Sequence, residues 1–157
     1  MRLEGVRVEM PTNNPIVLLR EADGQHRVLP IFIGPVEATA IAFALQGVQT
    51  QRPMTHDLMR DVLNALGVGV ERIVITELRD RTFYAEIQMT RDGAGCSVSS
   101  RPSDAIALAA RLGTPIFADE SVLDEAAVPV SDEEEEENEV ERFREFLEGV
   151  NPEDFAS

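Results

Sequence analysis

The chain has 157 residues, 43% of them hydrophobic, which is enough for one domain with a substantial core. Its formal net charge of −15 argues against a nonspecific nucleic-acid binder, and the absence of lysine excludes catalysis through a lysine Schiff base. A single cysteine excludes an internal disulfide and, with only two histidines, a cysteine-rich zinc site.

Charge is unevenly distributed along the chain. Residues 132–157 hold 12 acidic residues and two arginines, a net charge of −10, so residues 1–131 carry only −5. We therefore expect a folded domain at residues 1–130, followed at 131–157 by an acidic linker and an amphipathic helix around Phe143 and Leu147. No long uncharged apolar run or signal peptide is present, so we expect a cytoplasmic protein without membrane contact.

The first part of the chain has the pattern of three strands and a helix. Asp23-Gly24 favours a tight turn between the second and third strands, and Gly34-Pro35 is typical of a helix start, with Glu37 in the first turn. The predicted strands cover residues 2–10, 16–21 and 27–33, and the helix covers 36–45.

The second part alternates helices with short strands. Thr55 and Ser103 are predicted to cap two helices. The first of these helices has an apolar stripe that is expected to be buried: Leu58, Met59, Val62, Leu63 and Leu66. The second helix, at 103–111, is apolar nearly all round and is therefore also expected to be buried. Cys96 is expected to be a small buried hydrophobe. The first of these helices covers residues 56–66, strands are predicted at 72–78, 82–89, 96–99 and 115–118, and a last helix at 121–126.

These elements predict an α+β fold. We expect a mainly antiparallel or mixed sheet arrangement, built from two groups of strands and packed with three to four helices. The acidic C-terminal tail adds one amphipathic helix to this domain.

Three predicted helix starts each carry a carboxylate, namely Glu37, Asp57 and Asp104. Two of them share a pattern, because Arg52-Pro53 precedes Asp57 and Arg101-Pro102 precedes Asp104. If the starts converge, the carboxylates and His56 provide the oxygen-rich ligand set that Mg²⁺ or Mn²⁺ prefers. Alternatively, the acids are ordinary partners of the helix dipole.

Three segments resemble the bifunctional nuclease domain family: residues 29–34 with Glu37-Ala38, residues 52–58, and residues 101–109. The resemblance covers roughly residues 1–130. It implies a metal-assisted phosphodiesterase, dependent on Mg²⁺ or Mn²⁺, that acts on RNA or single-stranded DNA. It further implies that the catalytic residues are Glu37, His56, Asp57 and Asp104, that Glu37, Asp57 and Asp104 hold the metal, and that Arg52, Arg101 and Ser103 bind substrate.

The family resemblance and the number of apolar helices also lead us to expect a homodimer or higher homo-oligomer. Two alternatives to the nuclease stay open. One is a non-enzymatic regulatory module that binds a protein or a ligand. The other is that the acidic tail mimics nucleic acid and occupies a basic groove.

Overall fold

A computed structural model describes residues 1–129 and 143–148, which form an α+β fold with two sheets, as predicted. The strands are β1 (Arg2–Glu9), β2 (Asn14–Arg20), β3 (Val28–Phe32), β4 (Gly69–Arg79), β5 (Thr82–Arg91), β6 (Ala94–Ser100) and β7 (Ile116–Ala118). The helices are α1 (Pro35–Gln46), α2 (Thr55–Ala65), α3 (Pro102–Leu112) and α4 (Glu120–Ala126), and residues 143–148 are also helical.

The two sheets follow the two groups of strands that the sequence predicts. The first sheet has the order β1-β2-β3 and is antiparallel throughout. The second has the order β6-β5-β4-β7, in which only the β4–β7 pair is parallel. Every predicted strand and helix of residues 1–129 is present, with ends that differ by a few residues.

Helix α3 is the centre of the core. It packs against α1, α2, β4 and β5, while α1 packs in turn against β1 and β2. Five consecutive residues of α3, Ala105 to Ala109, are buried, as predicted for a helix that is apolar on nearly every side. Because α3 packs against both α1 and α2, it determines how these two helices lie relative to one another.

The predicted burial of the α2 stripe is wrong in part. Leu58, Val62 and Leu66 are each roughly half exposed, and only Met59 and Leu63 pack against the core. The spacing of apolar residues shows that a helix has an apolar face, but it does not show how much of that face the rest of the chain covers. An apolar surface is therefore left open on α2.

The predicted caps at Thr55 and Ser103 are also wrong, because both residues lie inside their helices. Pro102 takes the first position of α3, which makes Arg101 the N-cap, in an extended conformation with φ −67° and ψ 142°. Met54 takes the corresponding place before α2. The prediction that Cys96 is buried fails because β6 is an edge strand, on which Cys96 is exposed.

Part of the predicted tail is described. Residues 143–148 are helical, with Phe143, Phe146 and Leu147 half-buried and Arg144 exposed, as an amphipathic helix requires, and Phe143 packs against the core. The predicted acidic linker and the remainder of the tail lie outside the described residues. Within residues 1–129 and 143–148, no helix is long and apolar enough to cross a membrane.

Candidate active site

The first turns of α1, α2 and α3 carry their acidic residues at the same place. Glu37, Asp57 and Asp104 are each the third residue of their helix. A carboxylate in a first turn is favoured by the helix dipole and by the free backbone N–H groups there. Because α3 packs against both α1 and α2, the starts of α1 and α2 lie on either side of the start of α3.

Arg101 joins α1 to α3. Its Nε donates to Asp104 Oδ2 at 2.9 Å and its Nη2 donates to Asp104 Oδ1 at 3.1 Å, while its Nη1 donates to Glu37 Oε1 at 3.0 Å. The arginine side chain is nevertheless 63% exposed. A guanidinium is therefore held in a fixed position by two carboxylates while one side of it stays open to solvent.

His56 joins α2 to the same cluster. Its Nε2 lies 2.9 Å from Asp104 Oδ1, and His56 is the buried residue of α2. Asp104 is ionised, as shown below, and a carboxylate only accepts hydrogen bonds, so Nε2 carries the hydrogen. Asp104 thus accepts from both a buried histidine and an exposed arginine.

The pKa of Asp104 reflects this position. Partial burial would raise the pKa, but the hydrogen bonds from Arg101 and then from His56 together outweigh it and hold the pKa below the ordinary value. Asp104 is therefore a carboxylate at neutral pH. Any group that draws Arg101 away would let its pKa rise.

Gly34 explains how Glu37 reaches Arg101. Gly34 is the N-cap of α1, and the Glu37 side chain folds back over it, so that a Cβ at position 34 would collide with Glu37 Oε2. The absence of a side chain at Gly34 leaves room for the carboxylate. The Ile33-Gly34-Pro35 sequence thus positions Glu37 as well as starting the helix.

Asp57 lies apart from this cluster. Its Oδ1 accepts from Arg111 Nε at 2.6 Å, and its Oδ2 accepts from the Met54 backbone N–H at 3.1 Å. Arg111 lies two turns along α3 from Asp104, about 10 Å at 1.5 Å per residue. The structure therefore brings together Glu37, His56, Asp104 and Arg101, and gives Asp57 a different partner.

Two other predicted residues take separate places. Arg52 is exposed in the loop before α2, and Ser103 is a buried residue of α3 that lines a pocket next to Arg101. Sequence reasoning missed the role of Arg111, whose side chain is only 5% exposed. The available signal was a charged residue that directly follows the apolar run 105–110 of α3.

A metal site is incomplete in the described part of the chain, where no group of three His, Cys, Asp or Glu side chains is placed to hold an ion. Of the three predicted metal ligands, Glu37 and Asp104 share Arg101 as a partner. Mg²⁺ usually takes one or two protein carboxylates and completes its shell with water and substrate phosphates. Two carboxylates are therefore compatible with such an ion, and three are not needed.

Comparison with known proteins agrees with this architecture. The profile of the bifunctional nuclease domain matches residues 17–131, which include α1, α2, α3 and every residue of the Arg101 cluster. The chain belongs to the bifunctional nuclease domain family.

Its relatives include bacterial and plant proteins. An uncharacterised protein of Mycobacterium tuberculosis is 48% identical over 164 residues, which cover 100% of this chain and 98% of the relative. Bifunctional nuclease 2 of Oryza sativa is 26% identical over 116 residues, covering 72% of this chain and 36% of the plant protein. Bifunctional nuclease 2 of Arabidopsis thaliana is 29% identical over 103 residues, covering 64% and 31%. This chain thus matches about a third of each plant protein.

Proposed function

We propose that this chain hydrolyses phosphodiester bonds in RNA or single-stranded DNA at the cluster of Glu37, His56, Arg101 and Asp104. The observation that carries the proposal is the exposed guanidinium of Arg101, fixed beside a carboxylate that a buried histidine orients. The names of the plant relatives, bifunctional nucleases, support the same chemistry.

Arg101 is the residue proposed to bind the phosphate. Its planar guanidinium matches two phosphate oxygens, and those oxygens would compete with Asp104 and Glu37 for its N–H groups. Once Arg101 turns toward phosphate, Asp104 loses the hydrogen bonds that depress its pKa. Asp104, still held by His56, then becomes a better acceptor for the proton of an attacking water.

The charge balance of the cluster supports a divalent cation. The charges of Glu37, Asp104 and Arg101 sum to −1, and a phosphodiester adds another negative charge. Glu37 would hold Mg²⁺ or Mn²⁺ together with water and substrate oxygens, which leaves Asp104 available to accept the proton of the attacking water. Such an ion would stabilise the negative charge that builds up on phosphate during hydrolysis.

Exchanging Arg101 for glutamine tests the phosphate-binding role. We expect Arg101→Gln to lower kcat/KM for a labelled single-stranded RNA or DNA by roughly 100-fold, because a preorganised donor to the transition state is lost. The matched control is Arg91→Gln, since the Arg91 side chain is 58% exposed and pairs only loosely with Asp92, at 3.8 Å. Cleavage is followed on denaturing gels with Mg²⁺, with Mn²⁺ and with EDTA.

The outcomes of this assay separate the parts of the proposal. Cleavage that persists in EDTA would contradict the metal requirement and leave the Arg101 role standing. Equal rates for Arg101→Gln and Arg91→Gln would contradict the Arg101 role. No cleavage of either nucleic acid by the wild-type protein, with any of the metals, would contradict the phosphodiesterase itself.

A non-enzymatic binding module is the second candidate. The observation in its favour is that Arg101 already neutralises two carboxylates and ties α1 to α3, which is a sufficient structural role for an arginine. On this alternative, Arg101→Gln changes the melting temperature without abolishing a reaction. The same two variants therefore discriminate between the candidates.

We also propose that a second copy of the chain covers the exposed face of α2. This face continues onto β6 through Val98, and Leu58, Val62 and Val98 border an almost wholly apolar groove of about 370 Å³. β6 is a sheet edge, and its residues Ala94–Ser100 include no charge and no proline to discourage pairing with another strand. Two copies of such an edge strand can pair antiparallel about a two-fold axis. Because β6 has no charged residue, this pairing causes no repulsion between like charges.

Charges introduced on this face are expected to dissociate the dimer. Leu58→Glu with Val98→Glu should convert a dimer to a monomer in sedimentation-velocity experiments, while Leu45→Glu, a change at an exposed leucine of α1, should not. Cys96, the single cysteine, offers an independent check. A short bismaleimide should link two wild-type chains and fail with Cys96→Ser. A monomeric wild-type protein would contradict the proposal.

A further inference from the structure

A second pocket borders Arg101 on the side of the sheets. It has a volume of about 560 Å³ and lies between the end of β3, the β4–β5 turn and the start of α3. Ser103 and Arg101 form the wall that it shares with the proposed active site.

The charge of this lining is opposite to that of the protein. It contains two arginines and no acidic side chain, in a chain of net charge −15. Arg101 shares its charge with Glu37 and Asp104, but Arg81 makes no salt bridge or side-chain hydrogen bond with any residue of the described ranges. The pocket therefore offers a guanidinium that is available to an anion.

Arg81 is also held in an unusual backbone conformation. Asp80 and Arg81 have φ values of 50° and 64°, the left-handed pair of a two-residue hairpin turn, where Asn-Gly is the favoured sequence. Arginine adopts this conformation reluctantly, because its Cβ crowds the backbone. This turn places Arg81 in the lining of the pocket.

Phe32 supplies an exposed aromatic ring in the same pocket. As the last residue of β3 it points away from the core, opposite to Ile31, and is 59% exposed. Phe83, across the pocket, is half-buried and packs against the core. An aromatic face beside arginine is the combination on which unpaired nucleic-acid bases stack while their phosphates are neutralised.

We propose that this pocket is a nucleotide subsite, in which an unpaired base stacks on Phe32 and the phosphate next to it bonds to Arg81. The inference rests on the proposed function, because it assigns the nucleotide adjoining the phosphate that Arg101 holds. A base in a duplex already stacks on its neighbours and does not present its face. The subsite thus selects single-stranded over double-stranded substrates.

Binding measurements test the subsite without relying on cleavage. Fluorescence anisotropy of a short labelled single strand, in EDTA and with its integrity checked on a gel, should show about tenfold weaker binding for Phe32→Ala, the loss expected for one stacked base. Phe32→Trp, which keeps an aromatic ring, should bind the strand about as tightly as wild type does. The matched control is Phe117→Ala, because Phe117 is also an exposed strand residue, 45% exposed, with Arg72 over its ring.

Oligonucleotides that lack one base identify the contact itself. A single abasic site is moved along the strand. At one position it should weaken binding to the wild-type protein about tenfold and leave binding to the Phe32→Ala variant unchanged, because the missing base and the missing ring belong to the same stacking pair.

Arg81→Gln should weaken binding to every sequence and reduce the salt dependence of binding, whereas Arg79→Gln should not. A wild-type protein that binds duplex as tightly as single strand would overturn the selectivity.

The two proposals fail in different ways. If Phe32→Ala binds single strands as well as wild type does, or loses affinity equally for every abasic strand, the subsite is wrong, even when cleavage is observed. If binding depends on Phe32 but no phosphodiester bond is cleaved with Mg²⁺ or Mn²⁺, the subsite stands and the phosphodiesterase does not.

Discussion

Replacing Asp104 by asparagine is expected to reduce the rate of cleavage by at least 100-fold, within the range measured for lost acid–base groups. Asp104 accepts two hydrogen bonds from Arg101 and one from His56. An asparagine amide has one acceptor oxygen and would direct its NH₂ group at a donor, so at least one of these partners must move. The variant keeps the side-chain shape and removes only the charge and one acceptor.

Initial rates on single-stranded RNA and DNA measure this effect. Asp61→Asn is the matched control, because Asp61 is an exposed carboxylate on α2 that also contacts an arginine, Arg60. We expect His56→Gln alone to lower the initial rate of cleavage strongly. The double variant with Asp104→Asn should be little slower than Asp104→Asn alone, because the effects of residues that act as one unit are not additive. Undiminished cleavage by Asp104→Asn would rule out the proposed base.

Replacing Asp57 by alanine is expected to destabilise the fold by about 3–5 kcal/mol, as is usual when one member of a buried ion pair is removed. The Arg111 guanidinium lies almost wholly inside the protein and, among residues 1–129 and 143–148, would keep only its bond to the Ala107 carbonyl, at 2.9 Å. The Met54 backbone N–H would lose its acceptor as well. Urea denaturation measures the loss.

A second variant keeps this prediction falsifiable. Asp57→Leu combined with Arg111→Met removes both charges and should recover most of the stability, because apolar residues of similar size can replace a buried pair. Asp61→Ala, which breaks an exposed pair with Arg60, should cost about 1 kcal/mol or less. If Asp57→Ala is as mild as Asp61→Ala, Asp57 does not have the structural role assigned to it.

The pH dependence of stability gives an independent check on Asp57. Burial would raise its pKa, but the bonds from Arg111 and from Met54 outweigh burial and hold the pKa below the ordinary 3.8. A lowered folded-state pKa gives stability that is fully present above pH 3.8 and is lost as the pH falls through the folded value. The difference in free energy of unfolding between wild type and Asp57→Asn should therefore narrow as the pH falls below 3.8 and through the folded-state pKa of Asp57.

The order of strands and helices could be read from the sequence because local signals agree with one another. Alternation predicted the strands, and Gly34-Pro35 marked the start of α1. The tight turn predicted at Asp23-Gly24 is wrong, because β2 and β3 are joined by a longer connection, residues 21–27. Burial was less predictable. The apolar stripe of α2 predicted a buried face, but Leu58, Val62 and Leu66 have few neighbours, whereas α3 packs against two helices and two strands.

The site was predictable only as a set of candidates. Asp57 and Asp104 occupy the same position in similar segments, and nothing local separates them. Their difference arises from α3, which presents Arg101 near its start and Arg111 two turns later, so that each acid meets a different arginine. The pairing of side chains that are distant in sequence is a property of helix packing, which the spacing of residues along one segment does not record.

Gly34 has a consequence for tracing this site through related chains. A methyl group there would push aside the far end of Glu37 and leave the backbone and every ionisable residue of the cluster in place. Such a chain would retain the full complement of charged groups, but its Glu37 carboxylate would have to take another position to bond to Arg101. An inventory of acids, bases and cations would not register that change, so residue 34 should be read together with residue 37 when the cluster is traced through related chains.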